Sequence, residues 1–221
     1  MIISKASLSR AAGSQGALAK MLLGGAASDR GHSLVWSLFA ATGDEKRNFL
    51  YRRIDMGSFL TVSERPPEDA HRLWSIEAKE YAPDLHPGQR LRFVLRANPA
   101  MSARTPGARR GKTVDAVMHA KFKLAADERK AFAGGSDAAL DWLTARGPAI
   151  GANFERERCS ATGYGQVIIR KDEARKPITF AEIDYEGVLT VADPAKLTAA
   201  LFNGVGKARS YGCGLMLVRP A

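Results

Sequence analysis

The sequence predicts an α+β fold made of two tandem ferredoxin-like βαββαβ domains, residues 1–97 and 98–221. Strand-like alternation and helix-like spacing follow one another in the same order in each half of the 221-residue chain, an order that fits two such units better than one doubly wound sheet. The glycine-rich segment 203–214 precedes only one short apolar stretch, 215–218. No room remains for the helix that follows a dinucleotide-binding or P-loop motif, so both of those folds are excluded.

In the first half, alternation of apolar and polar residues predicts strands, and apolar residues three or four positions apart predict helices. The predicted elements are a strand at 1–9, helical stretches at 14–25 and 29–41, strands at 48–55 and 58–64 joined by a turn at Met56–Gly57, a short helix at 70–73, and strands at 74–81 and 88–99. Arginines alternate with apolar residues along the last strand, which gives it one basic face suited to phosphate contact.

The second half repeats this order after a boundary near Asn98–Pro99. Its predicted elements are a mobile basic loop at 102–112, one broken helix over 127–147 with a core stripe of Ala139, Leu140 and Leu143, a two-stranded hairpin with a charged tip over 165–191, a helix from Pro194 to Gly204, and a final strand at 215–218. Asp193 is the expected N-cap of the last helix, because its side chain can accept an amide hydrogen bond.

Charge is the unusual feature of the composition. The chain has 33 Lys and Arg against 23 Asp and Glu, a formal net charge of +10. A polyanionic partner is favoured, because each neutralised phosphate releases counterions, but a merely soluble basic protein has the same net charge. No apolar run approaches the roughly 18 residues of a membrane-spanning helix, so no membrane partner is expected.

Cysteine and histidine spacing predicts no metal site and no cofactor. Cys159 and Cys213 form no zinc motif and are expected to be small buried thiols of a reduced, cytoplasmic protein. The four histidines lack the HxxxH or HExxH spacing of metal ligands. The first 28 residues contain no acid, as in a transit peptide, but the strand-like alternation of 1–9 favours a structural role.

Three stretches together resemble a known family. RLRFVLRANP (90–99), YEGVLTVADP (185–194) and GVGKARSYGCGL (204–215) are similar to the CasE subunits of the type I-E CRISPR surveillance complex, Cascade, and HSLVWSLF (32–39) resembles the histidine-bearing helix of that family. The resemblance implies two tandem RRM-like domains. It also implies a metal-independent endoribonuclease that cuts CRISPR precursor RNA at repeat stem-loops and stays with the product RNA and the other Cascade subunits.

His32 is the predicted catalytic residue. An imidazole with an ordinary pKa of about 6.5 can give or take a proton near neutrality. Asp29 as N-cap would put His32 in the first helical turn, beside amide groups that could face a phosphate. A surface or capping histidine is the alternative. His71, His86 and His119 are expected to be structural or surface residues.

The second proton-transfer group stays open. Some family members carry a tyrosine three residues before the histidine, where this chain has Asp29. A carboxylate is a poor proton donor to a leaving 5′-oxygen, although it can orient an imidazole. The candidate helpers are Asp29, Arg30, Lys207 and Ser210.

Basic and glycine-rich segments are the predicted RNA-binding surface. A-form major grooves are too narrow for side chains to read bases easily, so mainly phosphate contact and shape recognition are expected. The predicted residues are Arg170, Lys171, Arg175 and Lys176 in the hairpin tip, Gly204, Gly206, Lys207, Arg209 and Ser210 in the glycine-rich segment, and Arg104, Arg109, Arg110 and Lys112 in the basic loop. The alternatives are an exposed charged turn for the tip and a tight helix-to-strand connection for the glycines.

Two other functions compete with the endoribonuclease. A non-catalytic CRISPR RNA-binding subunit with the same fold is favoured by Asp29 at the tyrosine position. An unrelated RRM-like protein that binds single strands is disfavoured, because neither half carries the aromatic RNA-binding motif of that class.

Overall fold

A computed structural model of the protein describes residues 1–9, 30–39, 47–55, 57–70, 72–103, 109, 111–170 and 176–221. The predicted helix at 14–25 and the Met56 half of the predicted turn lie outside these residues. None of the helices in the described ranges is long and apolar enough to cross a bilayer.

The first sheet contains four antiparallel strands in the order β2-β3-β1-β4. They are β1 (Ile2–Leu8), β2 (Phe49–Arg53), β3 (Ser58–Ser63) and β4 (Trp74–Glu80), and helix α1 (Arg30–Trp36) precedes β2. The order is the one that a ferredoxin-like unit requires. It confirms the strands predicted in this half, apart from the last.

Helix α1 packs its apolar stripe against this sheet. Leu34 and Val35 are buried, as are Leu38 and Phe39 just beyond the helix. They form one cluster with sheet residues that include Phe49, Tyr51, Phe59 and Trp74. Burying side chains of this size contributes roughly 1.5–3 kcal/mol each, so the spacing that predicted the helix also fixes its orientation.

The short helix predicted at 70–73 is wrong for the residues that the structure describes there. The connection from β3 to β4 shows no helix over 64–70 and 72–73. Instead, the carboxylate of Asp69 accepts the amide hydrogens of Leu73 at 2.8 Å and Trp74 at 3.1 Å. An Asp side chain that bonds nearby amides offers the backbone an alternative to helical hydrogen bonds.

The second sheet has the order β11-β5-β10-β8, and a further strand, β9, also pairs with β10. Its strands are β5 (Arg90–Ala97), β8 (Ala152–Phe154), β9 (Ser160–Ile169), β10 (Ile178–Val191) and β11 (Met216–Pro220), and β6 (Ala100–Ala103) and β7 (Lys112–Asp115) form a separate hairpin. The helices are α2 (Ala116–Lys123), α3 (Gly135–Thr144), α4 (Gly147–Ile150) and α5 (Pro194–Asn203).

Strand β5 differs from its predicted place. The boundary predicted near Asn98 assigned 88–97 to the first unit, but β5 pairs with β10 over its whole length and with β11 over 91–95. By its hydrogen bonds it is the first strand of the second sheet, so the change of sheet falls within 81–89. Hydrophobic alternation identifies a strand without identifying its partners, which explains the difference.

Two more elements depart from the prediction in this half. The ends of the basic loop pair as β6 and β7, and α2 follows directly, capped by the Asp115 carboxylate.

The broken helix is α3 with a 3₁₀ turn before it, and Ala139, Leu140 and Leu143 are buried as expected. The predicted cap of α5 is confirmed, because the Asp193 side chain accepts the Lys196 amide at 3.1 Å.

The two sheets meet through an apolar contact and an ionic one. Leu50 and Val62 of the first sheet are buried together with Leu215, which directly precedes β11. Beside them, Arg52 of β2 donates to the carboxylate of Asp184 in β10 at 3.0 Å. The last segment of the chain is therefore anchored to both units.

Candidate functional site

His32 is the third residue of α1 and lies in its first turn, as predicted. Its half-buried ring contacts two aromatic side chains. The ring centroid is 5.7 Å from that of Trp36, one turn further along the helix, and 5.7 Å from that of Tyr211. Tyr211 comes from the far end of the chain, so His32 lies where the first unit meets the glycine-rich segment.

That segment, residues 204–214, is here called the C-terminal loop; it connects α5 to β11. Its glycines, Gly204, Gly206, Gly212 and Gly214, have φ angles between 81° and 91°. A Cβ on Gly204 would lie 2.9 Å from Leu50 Cδ2, and one on Gly212 would lie 3.3 Å from the Tyr51 ring. Glycine is needed here because the loop turns with positive φ while it packs directly on β2.

The amide groups of this loop are partly occupied by protein contacts. The Gly204 N–H donates to the Ala200 carbonyl at 2.8 Å, and the Gly214 N–H donates to the Arg96 carbonyl at 2.7 Å. These bonds close the end of α5 and attach the loop to β5. They match the alternative of a tight helix-to-strand connection for those two glycines.

The basic and polar residues of the loop contact different neighbours. Lys207 is exposed, and its Nζ donates to Thr113 Oγ1 in β7 at 2.8 Å. The Arg209 guanidinium donates to the Asn203 carbonyl at the end of α5. The Ser210 carbonyl accepts a hydrogen bond from the Tyr51 hydroxyl at 3.3 Å. The loop therefore holds residues 209–211 against the first unit.

The remaining predicted site residues divide by whether the structure describes them. Arg170 and Lys176 are exposed and flank the hairpin tip. Arg109 is exposed, as is Lys112 at the start of β7. Arg30 begins helix α1. The predicted residues outside the described ranges are Asp29, Arg104, Arg110, Lys171 and Arg175.

Two of the other three histidines lie in the part of the chain that the structure describes. His86 is exposed, with Nε2 3.4 Å from Asp84 Oδ2, and His119 is half-buried on α2. His71 lies outside the described residues. Among the residues placed by the structure, no three His, Cys, Asp or Glu side chains converge as a metal site would require.

Charged groups at the junction of the units form a second feature near the loop. Asp184 accepts two hydrogen bonds from Arg96, at 3.0 and 2.6 Å, and one from Arg52 at 3.0 Å. The bond to Asp184 raises the pKa of Arg96, whereas burial lowers the pKa of Arg52 despite its attraction to the same carboxylate. The two-pronged contact with Arg96 is the tighter one, so Arg52 is the secondary partner.

Sequence reasoning missed the aromatic neighbours of His32. Trp36 was readable at i+4 on the same helix face. Nothing in the sequence links Tyr211 to residue 32, because the contact depends on how the C-terminal loop crosses to the first unit. Phe180, which stacks on Tyr211 with ring centroids 5.6 Å apart, was equally hidden.

Comparison with known proteins decides the family. A family model described as "CRISPR associated protein" matches residues 3–220. The chain belongs to this family. The CRISPR-associated endoribonuclease Cse3 of Thermus thermophilus is 35% identical over 190 residues, which are 85% of this chain and 80% of Cse3. The membership that the sequence motifs predicted is therefore confirmed.

Solved structures of the family have the same fold. Thermus thermophilus Cse3 bound to an RNA representing a pre-cleavage complex has a TM-score of 0.67 and 25% identity, covering 99% of this chain and 98% of that one. The CRISPR-associated protein Cas6e of Escherichia coli K-12 has a TM-score of 0.64 and 22% identity over the full length of both chains. These likenesses confirm the two ferredoxin-like units.

Proposed function

We propose that the protein is an endoribonuclease that cuts CRISPR precursor RNA at repeat stem-loops and remains with the mature RNA as a Cascade subunit. The observation that carries this proposal is the 35% identity to a CRISPR-associated endoribonuclease over most of both chains. The structure of Thermus Cse3 with a pre-cleavage RNA supports RNA as the substrate. The Cascade role rests on the resemblance of the sequence motifs to CasE.

The proposed chemistry uses the RNA's own 2′-hydroxyl. Its oxygen attacks the adjacent phosphorus, the P–O2′ bond forms and the P–O5′ bond breaks. The 2′-hydroxyl proton leaves, and a proton is delivered to the departing 5′-oxygen. The products are a 2′,3′-cyclic phosphate and a 5′-hydroxyl, and no metal ion takes part.

His32 is the proposed proton carrier. An imidazole performs both proton movements near neutral pH, as base when neutral and as acid when protonated. His32 lies at the start of α1, beside the C-terminal loop that bears Lys207 and Arg209. Those cations favour the approach of a phosphate, and Asp29, Arg30, Lys207 and Ser210 remain the candidate helpers for the second transfer.

The decisive experiment compares two histidine variants on a transcript of the CRISPR repeat from the same genome. His32→Ala is expected to lower the single-turnover rate by about 10²–10⁴-fold, the usual contribution of acid–base catalysis, with nearly unchanged RNA affinity. His86→Ala removes an exposed histidine and is expected to cut at the wild-type rate. Full activity of His32→Ala would remove the residue from the mechanism.

Two further experiments test the proposed cleavage chemistry: one removes divalent ions and the other removes the attacking 2′-hydroxyl. Cleavage in excess EDTA is expected to match cleavage without it, and a single 2′-deoxy nucleotide at the scissile position is expected to stop the reaction. Product ends are read by mass spectrometry. A strict need for a divalent ion, or a 5′-phosphate on the product, would contradict the proposed mechanism.

RNA binding by the β9–β10 hairpin is tested through its salt dependence. Arg170→Ala and Lys176→Ala each remove an exposed charge beside the tip. Each lost phosphate contact is expected to reduce the slope of log K against log salt by about one. Lys130→Ala, an exposed lysine elsewhere in the second unit, is the control. An unchanged slope in both hairpin variants would make the hairpin a solvated turn.

A non-catalytic RNA-binding subunit is the second candidate. Asp29 in place of the tyrosine found in some family members favours it. A non-catalytic subunit would bind the repeat stem-loop with the same salt dependence and leave it uncut. The wild-type assay without EDTA separates the two functions directly, since only the enzyme yields shortened RNA.

A further inference from the structure

Tyr211 is the nearest described aromatic contact of His32 from outside its own helix. The ring centroids are 5.7 Å apart and the ring planes are inclined by 49°. A further aromatic neighbour of Tyr211 is Phe180 in β10, with ring centroids 5.6 Å apart and ring planes inclined by 26°. The imidazole is thus linked through Tyr211 to the strand that carries the basic hairpin.

The C-terminal loop constrains the backbone on both sides of Tyr211. Tyr211 ends a 3₁₀ turn, Arg209–Tyr211, that lies between Ala208 with φ of 57° and Gly212 with φ of 87°. A non-glycine residue such as Ala208 rarely adopts positive φ, and surrounding contacts must hold it there. The Tyr211 N–H donates to the Ala208 carbonyl at 2.9 Å, and Tyr51 holds the Ser210 carbonyl.

We propose that Tyr211 is a positioning residue for His32: its ring, not its hydroxyl, holds the imidazole in the orientation that proton transfer needs. The inference rests on the proposed function. A His side chain rotates about two bonds, and a ring packed against it restricts those rotations. Because a misplacement of about 1 Å can cost on the order of 100-fold in rate, a residue that sets this orientation affects catalysis without touching the RNA.

The test compares a variant that keeps the ring with one that removes it. Tyr211→Phe retains the aromatic contacts and is expected to cut RNA within about twofold of wild type, whereas Tyr211→Leu is expected to lose about tenfold, the scale of one aromatic pair. Single-turnover rates at saturating protein separate this loss from any change in RNA affinity. Phe122→Leu, which alters an exposed aromatic residue on α2, is the matched control and is expected to be silent.

A readout independent of cleavage is the NMR spectrum of the His32 ring protons. Neighbouring aromatic rings shift these resonances, so Tyr211→Leu is expected to move them and Tyr211→Phe to leave them near their wild-type positions. Phe180→Leu removes the ring stacked on Tyr211 and is expected to produce a smaller change of the same kind. This variant keeps the test available if Tyr211→Leu does not fold.

Each outcome decides the proposal. A loss of rate in the Leu variant alone, with shifted His32 resonances, supports it. An equal loss in the Phe variant would overturn it in favour of a role for the hydroxyl, and wild-type cleavage by the Leu variant would also overturn it. If the wild-type protein cuts no RNA, the proposed function fails; unmoved His32 resonances in Tyr211→Leu would then overturn the positioning role separately.

Discussion

Removing the Asp184 carboxylate tests a charged contact in which Arg96 holds Asp184 within the second sheet and Arg52 links it to the first. Its oxygens accept three hydrogen bonds from two guanidinium groups, at 2.6 to 3.0 Å. The side chains of Asp184 and Arg96 are each 32% exposed, and that of Arg52 is 21% exposed. Asp184→Ala would therefore leave two partly buried cations facing one another without their shared anion.

The expected cost follows from these contacts. A hydrogen bond to a charged group contributes roughly 1.5–3 kcal/mol when buried, and exposure of about a third of each side chain reduces this toward about 1 kcal/mol per bond. Three bonds give a loss of about 3 kcal/mol in the free energy of unfolding. Arg52→Met removes one bond together with one desolvated charge, so it is expected to cost only about 1 kcal/mol.

Urea unfolding followed by tryptophan fluorescence measures this loss in both units, since Trp36 and Trp74 belong to the first and Trp142 to the second. The control is Asp141→Ala, which breaks a 3.1 Å pair with Arg156 in which Asp141 is 71% exposed. That change is expected to cost less than about 0.5 kcal/mol. A cost below about 1 kcal/mol for Asp184→Ala would refute the inference that this carboxylate stabilises the fold, and an unchanged stability of Arg52→Met would refute its role in joining the units.

Two further predictions concern backbone geometry and thiol chemistry. Gly151 has φ of 72°, and a Cβ there would lie 2.3 Å from the Asp193 carbonyl oxygen, whereas Gly163 has φ of 67° and a Cβ there would have no neighbour nearer than 3.9 Å. Gly151→Ala is therefore expected to lower the melting temperature far more than Gly163→Ala. Equal shifts would show that the close approach at Gly151 is unimportant. Burial raises the pKa of the Cys213 thiol to about 12, so it stays protonated up to pH 9. In a Cys159→Ser background, Ellman's reagent is expected to find no reactive thiol in the folded protein and one in guanidinium; rapid labelling of the folded form would contradict this.

Local sequence patterns predicted the elements that depend on local physics. The stripe of Leu34, Val35, Leu38 and Phe39 predicted α1, and the Asp193–Pro194 pair predicted the start of α5, because burial periodicity and capping act within a few residues. Helix α2 was not predicted, because burial periodicity is the signal that identifies a helix. Only its first two residues are buried, so it shows no apolar stripe.

Pairings between distant segments could not be predicted in this way. The pattern of β5 identified a strand, but its place beside β10 and β11 depends on the whole second sheet. His32 was chosen as the candidate because a histidine near a helix start suits proton transfer and matches a family motif. Its neighbour Tyr211 was hidden, since glycine spacing indicates a tight loop without indicating which surface that loop covers.

The contact between His32 and Tyr211 also bears on how the protein is made. Most of the chain lies between the two residues, so their pairing requires a long loop to close at an entropic cost. On the ribosome, helix α1 emerges long before the C-terminal loop has been synthesised. If the proposed function holds, a nascent chain carries the His32 imidazole without the Tyr211 ring, and any cutting of nearby transcripts is slower until the C-terminal loop is complete.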